Sequence, residues 1–324
     1  MSVTVKAFET LNVEDWDDFV DQSNTGTIFH KLQFLKYHPP KRFPFHNLVF
    51  YYKAKIVALL PGMLDDKGVF KSPAGASYGG FVMNNAPFAK QEAVLDTFIS
   101  YAKEKRFTEA VITPTPFIYH KSPNEIERFL LEYKGFKRKY HLLTNSVSLK
   151  DLNTEYIINS LSSMHKRAVN KSLKLGVQTK FSTKFEEFYP ILLANKTKFD
   201  AAPTHTLEEL IKLKKLLPDN IKLLMAYDDK KNPIGGIFLF ICNENTVLTF
   251  YISHYYEFQH LRAVNRLLYE VMIWAKENGY NNVDFGVSMD TSSDNPMEPS
   301  RSLIHFKEGT GSRGFLRTTY HYEF

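Results

Sequence analysis

The sequence predicts an α/β (α+β) chain made of two copies of one unit, each a mixed, largely antiparallel sheet flanked by helices. Two observations carry this expectation. The order strand, strand, strand, helix, strand, helix, strand can be read twice along the 324 residues, once before residue 150 and once after residue 220. The apolar content of 44%, with 27 Phe and 18 Tyr, is enough to fill two cores, and the length exceeds one average domain. The expected domains are 1–150 and 151–324, with the last strand, 315–322, able to return to the first domain.

In the first copy, 48–52, 56–63 and 68–72 read as strands separated by turns at 53–55 and 65–67. Val94, Leu95, Phe98, Tyr101 and Ala102 recur at helical spacing and predict a helix over 89–105. A strand at 110–113 follows, then a helix over 124–133 that Ser122 or Asn124 caps and Gly135 stops, then a long strand over 136–149. Three further helices, 162–175, 184–199 and 207–217, with Pro203 and Pro218 as breakers, precede the second copy. That copy has strands at 221–227, 234–242 and 246–253, a helix over 263–277 ended by Gly279, and a strand at 283–285. A helical turn at 302–307 and a strand at 315–322 complete it. The segment 289–300, MDTSSDNPMEPS, is rich in Ser, Asp, Asn and Pro and reads as a long mobile loop, a candidate lid.

Composition narrows the function classes. No apolar run approaches the roughly 20 residues that span a bilayer, so no transmembrane segment is expected. Glu14, Asp15, Asp17 and Asp18 stand where a signal peptide needs a basic start and an apolar core. The single cysteine, Cys242, excludes an internal disulfide framework and a Cys-rich zinc cluster, and a reducing cytoplasm is the simplest location. His30, His38, His46, His205, His254 and His260 show no metal-ligand spacing on a helix, so no metal is expected. The net charge of +6, gathered in 36–42, 134–139 and 166–174, favours anionic partners such as phosphates, nucleotides or RNA.

Three short motifs imitate known chemistry and fail in context. Gly309, Gly311 and Gly314 satisfy G-x-G-x-x-G, but a dinucleotide fingerprint follows a strand and opens a helix, and this one leads into the last strand. Asp284-Phe285-Gly286 spells the kinase triplet without a Gly-rich loop or catalytic-loop signature before it. Ser163 to Lys166 with Ser293-Asp294-Asn295 imitates two penicillin-recognising motifs, but Lys307-Glu308-Gly309 cannot supply the third.

Other motifs fall in order on the duplicated scaffold. Thr27-Ile28-Phe29-His30 with Gln33-Phe34-Leu35-Lys36 comes near the start. Residues 166–177, KRAVNKSLKLGV, form a basic helix ending in Gly-Val; residues 274–280, WAKENGY, precede Asp284-Phe285-Gly286; and Phe306-Lys307 precedes Gly311. The duplicated unit resembles the GNAT acyltransferase unit, and with these motifs the chain resembles the Fem (FemAB-like) family of peptidoglycan-bridge aminoacyltransferases, Phe34 standing where Trp is more usual.

That resemblance implies an enzyme, a FemAB-like N-acyltransferase moving an aminoacyl or acyl group onto an amine of a cell-wall precursor or amino sugar. Acyl transfer to an amine needs a positive group facing the oxyanion that develops on the carbonyl and a way to remove the amine proton. By resemblance the cation is Lys307, which with Phe306 looks like the family's Phe-Lys pair. Asp284, His254 or Glu257 could accept the proton. The family's acceptor is a nucleotide- or lipid-linked muropeptide, whose diphosphate implies cations from Lys36, Arg167, Arg262 and Arg301, Arg being favoured for its planar fork. Tyr78 and Tyr251 are candidate hydrogen-bonding aromatics of the same cleft.

No tightly bound cofactor is implied; the acyl donor, aminoacyl-tRNA or acyl-CoA, is a co-substrate. GNAT enzymes that use acetyl-CoA carry Gln or Arg and then a Gly-x-Gly or Gly-x-Ala turn that holds pyrophosphate at a helix N-terminus. Here 259–264 reads QHLRAV, without glycine, which favours aminoacyl-tRNA. The other readings are an acyl-CoA-dependent GNAT acting on a small amine or nucleotide sugar, and a non-catalytic binding module on the same scaffold. tRNA is a possible partner and DNA is not expected.

Overall fold

The computed structural model describes residues 2–8, 13–39, 41–198 and 201–324. It forms two compact units, Met1–Leu142 with Leu316–Phe324, and Leu143–Phe315.

The first unit runs β1 (Thr4–Ala7), α1 (Val13–Gln22), α2 (Leu32–Leu35), β2 (Leu48–Tyr52), β3 (Lys55–Leu60), β4 (Met63–Leu64), β5 (Val69–Ser72) and β6 (Val82–Met83). It continues through α3 (Phe88–Glu104), β7 (Glu109–Ile112), α4 (Ile126–Tyr133) and β8 (Lys137–Ser148), which leads into the second unit. The strand expected over 56–63 is broken. Pro61 has no N–H for a ladder, and the Gly62 N–H bonds the Asn47 Oδ1 at 3.0 Å instead of a strand neighbour. In consequence β3 pairs antiparallel with β2 and β6, while β4 pairs with β5, so the first copy carries two sheets, β1-β2-β3-β6 and one ordered β4-β5-β7 with the end of the chain next to β7. The helix read from Val94, Leu95, Phe98 and Ala102 is present as α3, and those four side chains are buried, as its spacing requires.

Buried polar groups fix one turn of this unit, at Ser77-Tyr78-Gly79-Gly80. The His30 Nε2–H donates to Gly79 O at 3.0 Å while Nδ1 accepts from the Thr27 N–H. Ser72 Oγ accepts from the Gly80 N–H, and Glu127 Oε1 accepts from the Phe81 N–H, both at 2.9 Å. Burial pushes His30 and His120 down to about 4 and pushes Glu127 up to about 7.

The second unit contains α5 (Ile157–Ser160), α6 (Ser163–Lys174), β9 (Gln178–Ser182), α7 (Phe185–Thr197), α8 (Leu207–Leu216), β10 (Ile221–Tyr227), β11 (Pro233–Ile241) and β12 (Thr246–His254). Then come α9 (Ala263–Glu277), β13 (Asn282–Val287), α10 (Arg301–Glu308) and the start of β14 (Arg313–Glu323), whose last residues belong to the first unit and pair with β7, Tyr320 opposite Ile112. Its strands are ordered β8-β13-β12-β11-β10-β9, and β12–β13 is the parallel pair among them. α6 begins at Ser162, whose Oγ accepts from the His165 N–H, which satisfies one orphan donor of the first turn. α9 buries Ala263, Leu267, Leu268, Val271, Met272 and Ala275, one stripe at helical spacing, in the core of this sheet.

Several expectations need adjustment. The helix read over 184–199 ends at Thr197, and Phe199 lies outside the described residues. The turn read at 302–307 is a helix of two turns, α10. The segment 289–300 is closed by its own hydrogen bonds: Ser300 N donates to Ser288 O at 3.0 Å, Asp290 N to Glu298 O at 2.8 Å, and Asp290 Oδ1 accepts from Ser292. Among the described residues no helix is long and apolar enough to cross a membrane.

Candidate active site

The parallel pair of the second unit opens the site. β12 and β13 pair from Thr246 opposite Asn282 to Leu248 opposite Asp284, where the pairing stops, although β12 runs on to His254 and β13 to Val287. Both strands are irregular there. On β12 Phe250 is the extra residue of a bulge against β11, and on β13 the register with β8 shifts between Asp284 and Val287. Gly286 lies in that shift with φ 73°, a conformation that glycine adopts without steric cost.

A cavity of about 650 Å³ occupies this opening. Ile252, Leu268, Phe285 and Phe306 give it an apolar lining, α6 contributes Arg167 and Lys171 from one face, and Arg262 to Asn265 bring the first turn of α9. The N–H groups of a first helical turn have no partners inside the helix and carry its positive dipole end. Together with the guanidinium and ammonium groups of Arg167, Lys171 and Arg262, that turn can hold an anion such as a phosphate.

Arg262 itself is left-handed, φ 58° and ψ 34°. A side chain there costs about 1–2 kcal/mol, part of which glycine would return in its greater unfolded freedom. Arg262→Gly should therefore raise the unfolding free energy by up to about 1 kcal/mol while weakening pyrophosphate binding in a calorimetric titration. Equal affinity in the two proteins would remove Arg262 from the anion site.

Lys307 is buried, 5% exposed, and still lines the cavity. Its ammonium donates to Gly286 O and Val287 O, both at 2.8 Å, and to Ser288 Oγ at 2.9 Å. All three of its hydrogens are thus engaged on the irregular end of β13 and the residue after it. Burial pushes its pKa down to about 8, against the opposing pull of the Asp284 carboxylate. His254, half-buried at the end of β12 and 4.8 Å from the Tyr256 ring, is held below the usual imidazole range by burial and by Lys198. His165 also lines the cavity; its ring lies 4.9 Å from that of Phe306, and Nδ1 meets Ser162 Oγ at 3.1 Å. Gly309 packs so closely on that ring that a Cβ would overlap it.

Among solved structures, the chain is similar over 100% of its length, and 98% of the other, to FemX, with a TM-score of 0.73 at 15% identity. A tandem GNAT protein from the clavulanic acid biosynthesis pathway matches 99% of the chain over 98% of its own, with a TM-score of 0.57 at 11% identity. The fold is a tandem GNAT fold. The C-terminal domain of a protein described as a lysylphosphatidylglycerol synthetase, from Agrobacterium fabrum, shares it over 95% of this chain and 90% of its own, with a TM-score of 0.62 at 10% identity. No protein-family model and no curated protein sequence matches the chain.

The second GNAT unit brings together five of the residues expected at the site: Arg167, His254, Arg262, Phe306 and Lys307 all line the cavity. The others lie elsewhere. Asp284 is fully buried and its Oδ1 accepts from Thr144 Oγ1 at 2.8 Å and from the Gly286 N–H at 2.7 Å, so its carboxylate shapes the strand end instead of lining the cavity. Tyr251 is buried, its hydroxyl bonded to Thr204 and His205, which fastens that segment to β12. Arg301 is exposed and paired with Glu298 at 3.2 Å. Lys36 is an exposed residue of the first GNAT unit. Tyr78 is a core residue of that unit, packed on Phe29 and Tyr119 with the Arg317 guanidinium 5.0 Å above its ring. Sequence reasoning did not single out His165, Lys171, Asn195 or Asn265 among the lining residues. Only the basic pattern of 166–174 marks Lys171, and a lone His or Asn on a helix carries no signal of its own.

Proposed function

We propose that the chain is a FemAB-like N-acyltransferase whose reaction takes place in the cavity of its second unit. The observation that carries this reading is the meeting, in one cavity, of the buried Lys307 with an anion-holding helix turn and the neutral imidazole of His254. An activated acyl donor has that pair of needs, since aminoacyl-tRNA and acyl-CoA both carry phosphate on the arm that bears the acyl group. Arg167, Lys171, Arg262 and the first turn of α9 bind the phosphate, and the apolar lining excludes water from the acyl carbonyl. The acceptor amine attacks that carbonyl, His254 takes the proton the amine loses, and Lys307 places positive charge where the oxyanion develops.

The acceptor is an amine of a cell-wall precursor or an amino sugar, as the likeness to the Fem family suggests, and the donor is aminoacyl-tRNA, which places the reaction in the cytoplasm. Acyl-CoA is the second reading of the donor: the left-handed Arg262 gives the turn before α9 the backbone conformation that glycine supplies elsewhere, so the lack of glycine does not exclude it. Incubating the protein with each donor and a panel of amines, with mass spectrometry of the products, tests the proposal. An N-acylated amine from one donor, lost in Lys307→Met, is the expected result. Absence of product from both donors would support a binding module instead.

A further inference from the structure

The first unit has a cavity of its own, of about 500 Å³, lined by α4, the start of β8 and the last strand of the chain. One side of it is aromatic. Phe129 and Tyr133, one helical turn apart on α4, are 57% and 66% exposed, and their rings lie parallel, with 9° between the planes and 5.8 Å between the centroids. Folding gains little from rings left so open to water, and a cluster of them on one face marks a contact surface. The platform is also held in place. Phe88 of α3 packs on Phe129 at 6.1 Å, and the Lys134 ammonium, fixed by Glu92 and Asp96 at 2.9 Å each, lies 5.5 Å from the centre of the Tyr133 ring.

The other side of the cavity is polar and matched in charge. Arg138 clasps Glu132 through two contacts, Nε to Oε1 and Nη2 to Oε2, both at 3.0 Å, and the Tyr320 hydroxyl donates to the same carboxylate at 3.3 Å. Arg128 Nη1 donates to Glu125 Oε2 at 3.3 Å. His141, held below the usual imidazole range by burial and by Arg138, is neutral at pH 7, and its Nδ1 meets Thr318 Oγ1 at 2.9 Å. Each guanidinium of this wall thus has its own carboxylate, which leaves no net charge for a phosphate, a carboxylate or an ammonium. Hydrogen-bonding capacity remains. Arg138 spends two of the five donors of a guanidinium, Glu132 spends three of the about four acceptor sites of a carboxylate, and Arg128 Nη2 has no partner.

Unspent donors and acceptors side by side, next to an open aromatic platform, match a sugar ring: its neighbouring hydroxyls bond to the Arg–Glu fork, and its slightly positive C–H face lies on the negative faces of the aromatic rings. We propose that this cavity is a carbohydrate site of the first unit, which holds an uncharged pyranose and does no chemistry on it. The site does not depend on the acyl-transfer reading, since none of the residues that line it lies in the second unit. Its volume is in the range of small-ligand sites, about 300–1,000 Å³.

The test is a calorimetric titration of the full-length protein with cellobiose and with di-N-acetylchitobiose, two uncharged disaccharides of pyranose rings, at low and at high salt. Saturable binding of at least one, with a millimolar dissociation constant that salt changes by less than about twofold, is the expected result, because the ligand forms no ion pair. Phe129→Ala and Tyr133→Ala should each weaken it by about threefold to tenfold. Both side chains are largely exposed, so circular dichroism should show both variants folded. Arg138→Lys, which keeps the charge and loses the fork, should weaken it as well. Saturation by neither sugar up to about 50 mM, or an affinity indifferent to both aromatic substitutions, overturns the site. So does binding that falls steeply with salt, which would mean a charged ligand, or a wild-type protein that takes up no sugar and sediments as a dimer dissociated by Tyr133→Ala, which would make the face a contact between copies. A protein that binds sugar as expected but transfers no acyl group would keep this site and remove the acyl-transfer reading alone.

Discussion

Lys307→Met lowers the rate of acyl transfer by about 100- to 1,000-fold, the scale of losing one oxyanion-stabilising group, about 2.7–4 kcal/mol. Methionine fills a similar volume, so the cavity lining stays, and donor affinity set by Arg167, Lys171 and Arg262 changes little. The loss therefore falls on kcat and not on the donor KM. The substitution also has a structural cost, because it leaves Gly286 O, Val287 O and Ser288 Oγ without the ammonium they share. Orphaned buried acceptors cost about 1–3 kcal/mol each, so the variant melts lower, and rates are compared at a temperature where circular dichroism shows both proteins folded. A fold-competent Lys307→Met with wild-type kcat would remove Lys307 from the chemistry.

Acid destabilises the first unit through two imidazoles. His30 and His120 sit at about 4 in the folded state against 6.5 when exposed, because burial penalises the cation. Below pH 6.5 the unfolded chain binds two protons that the folded chain refuses, so stability falls as pH drops from 6.5 toward 4. Each histidine contributes about 1.4 kcal/mol per pH unit, or about 3 kcal/mol across the window. Glu127 works in the opposite direction. Its folded value of about 7 lies above the ordinary 4.5, so the folded chain holds the extra proton and stability falls as pH rises from 4.5 to 7. Between pH 4.5 and 6.5 Glu127 offsets one of these two imidazoles, so the three groups together contribute about 1.4 kcal/mol per pH unit, to which burial of His46, His141, His165 and His254 adds in the same direction as His30. Urea unfolding at several pH values checks this: in that window Glu127→Gln should steepen the slope, and His30→Asn should flatten it, each by about 1.4 kcal/mol per pH unit. A slope unaffected by either substitution would mean that these groups are not buried as described.

Much of the fold is legible in the sequence where one segment decides its own structure. α9 carries an uninterrupted stripe from Ala263 to Ala275, and α6 announces its start with Ser162. What local pattern misses are elements settled by distant partners. β1 and β6 are four and two residues long and exist because β2 and β3 offer ladder bonds. β9 alternates weakly, with Phe181 exposed, and is recruited by β10. Reading 56–63 as one strand gave Pro61 too little weight. At the site, Lys307 and Phe306 are legible through their resemblance to a family motif, and Arg167 through its basic helix. Tyr78 and Tyr251 are not, since an aromatic near a glycine or at a strand end looks the same whether it lines a cleft or fills a core.

The most direct measurement is a pair of binding isotherms at fixed salt, one for acyl-CoA and one for aminoacyl-tRNA, on the wild-type protein and on a variant carrying Arg167→Glu and Arg262→Glu. Both residues line the cavity and lie on the surface of the second unit, so the charge reversal leaves its core intact. Saturable binding of one donor, lost by at least tenfold on reversal, is the expected result and would also name the donor. Binding of neither donor, or binding indifferent to the reversal, would contradict an acyl-transfer site in this cavity.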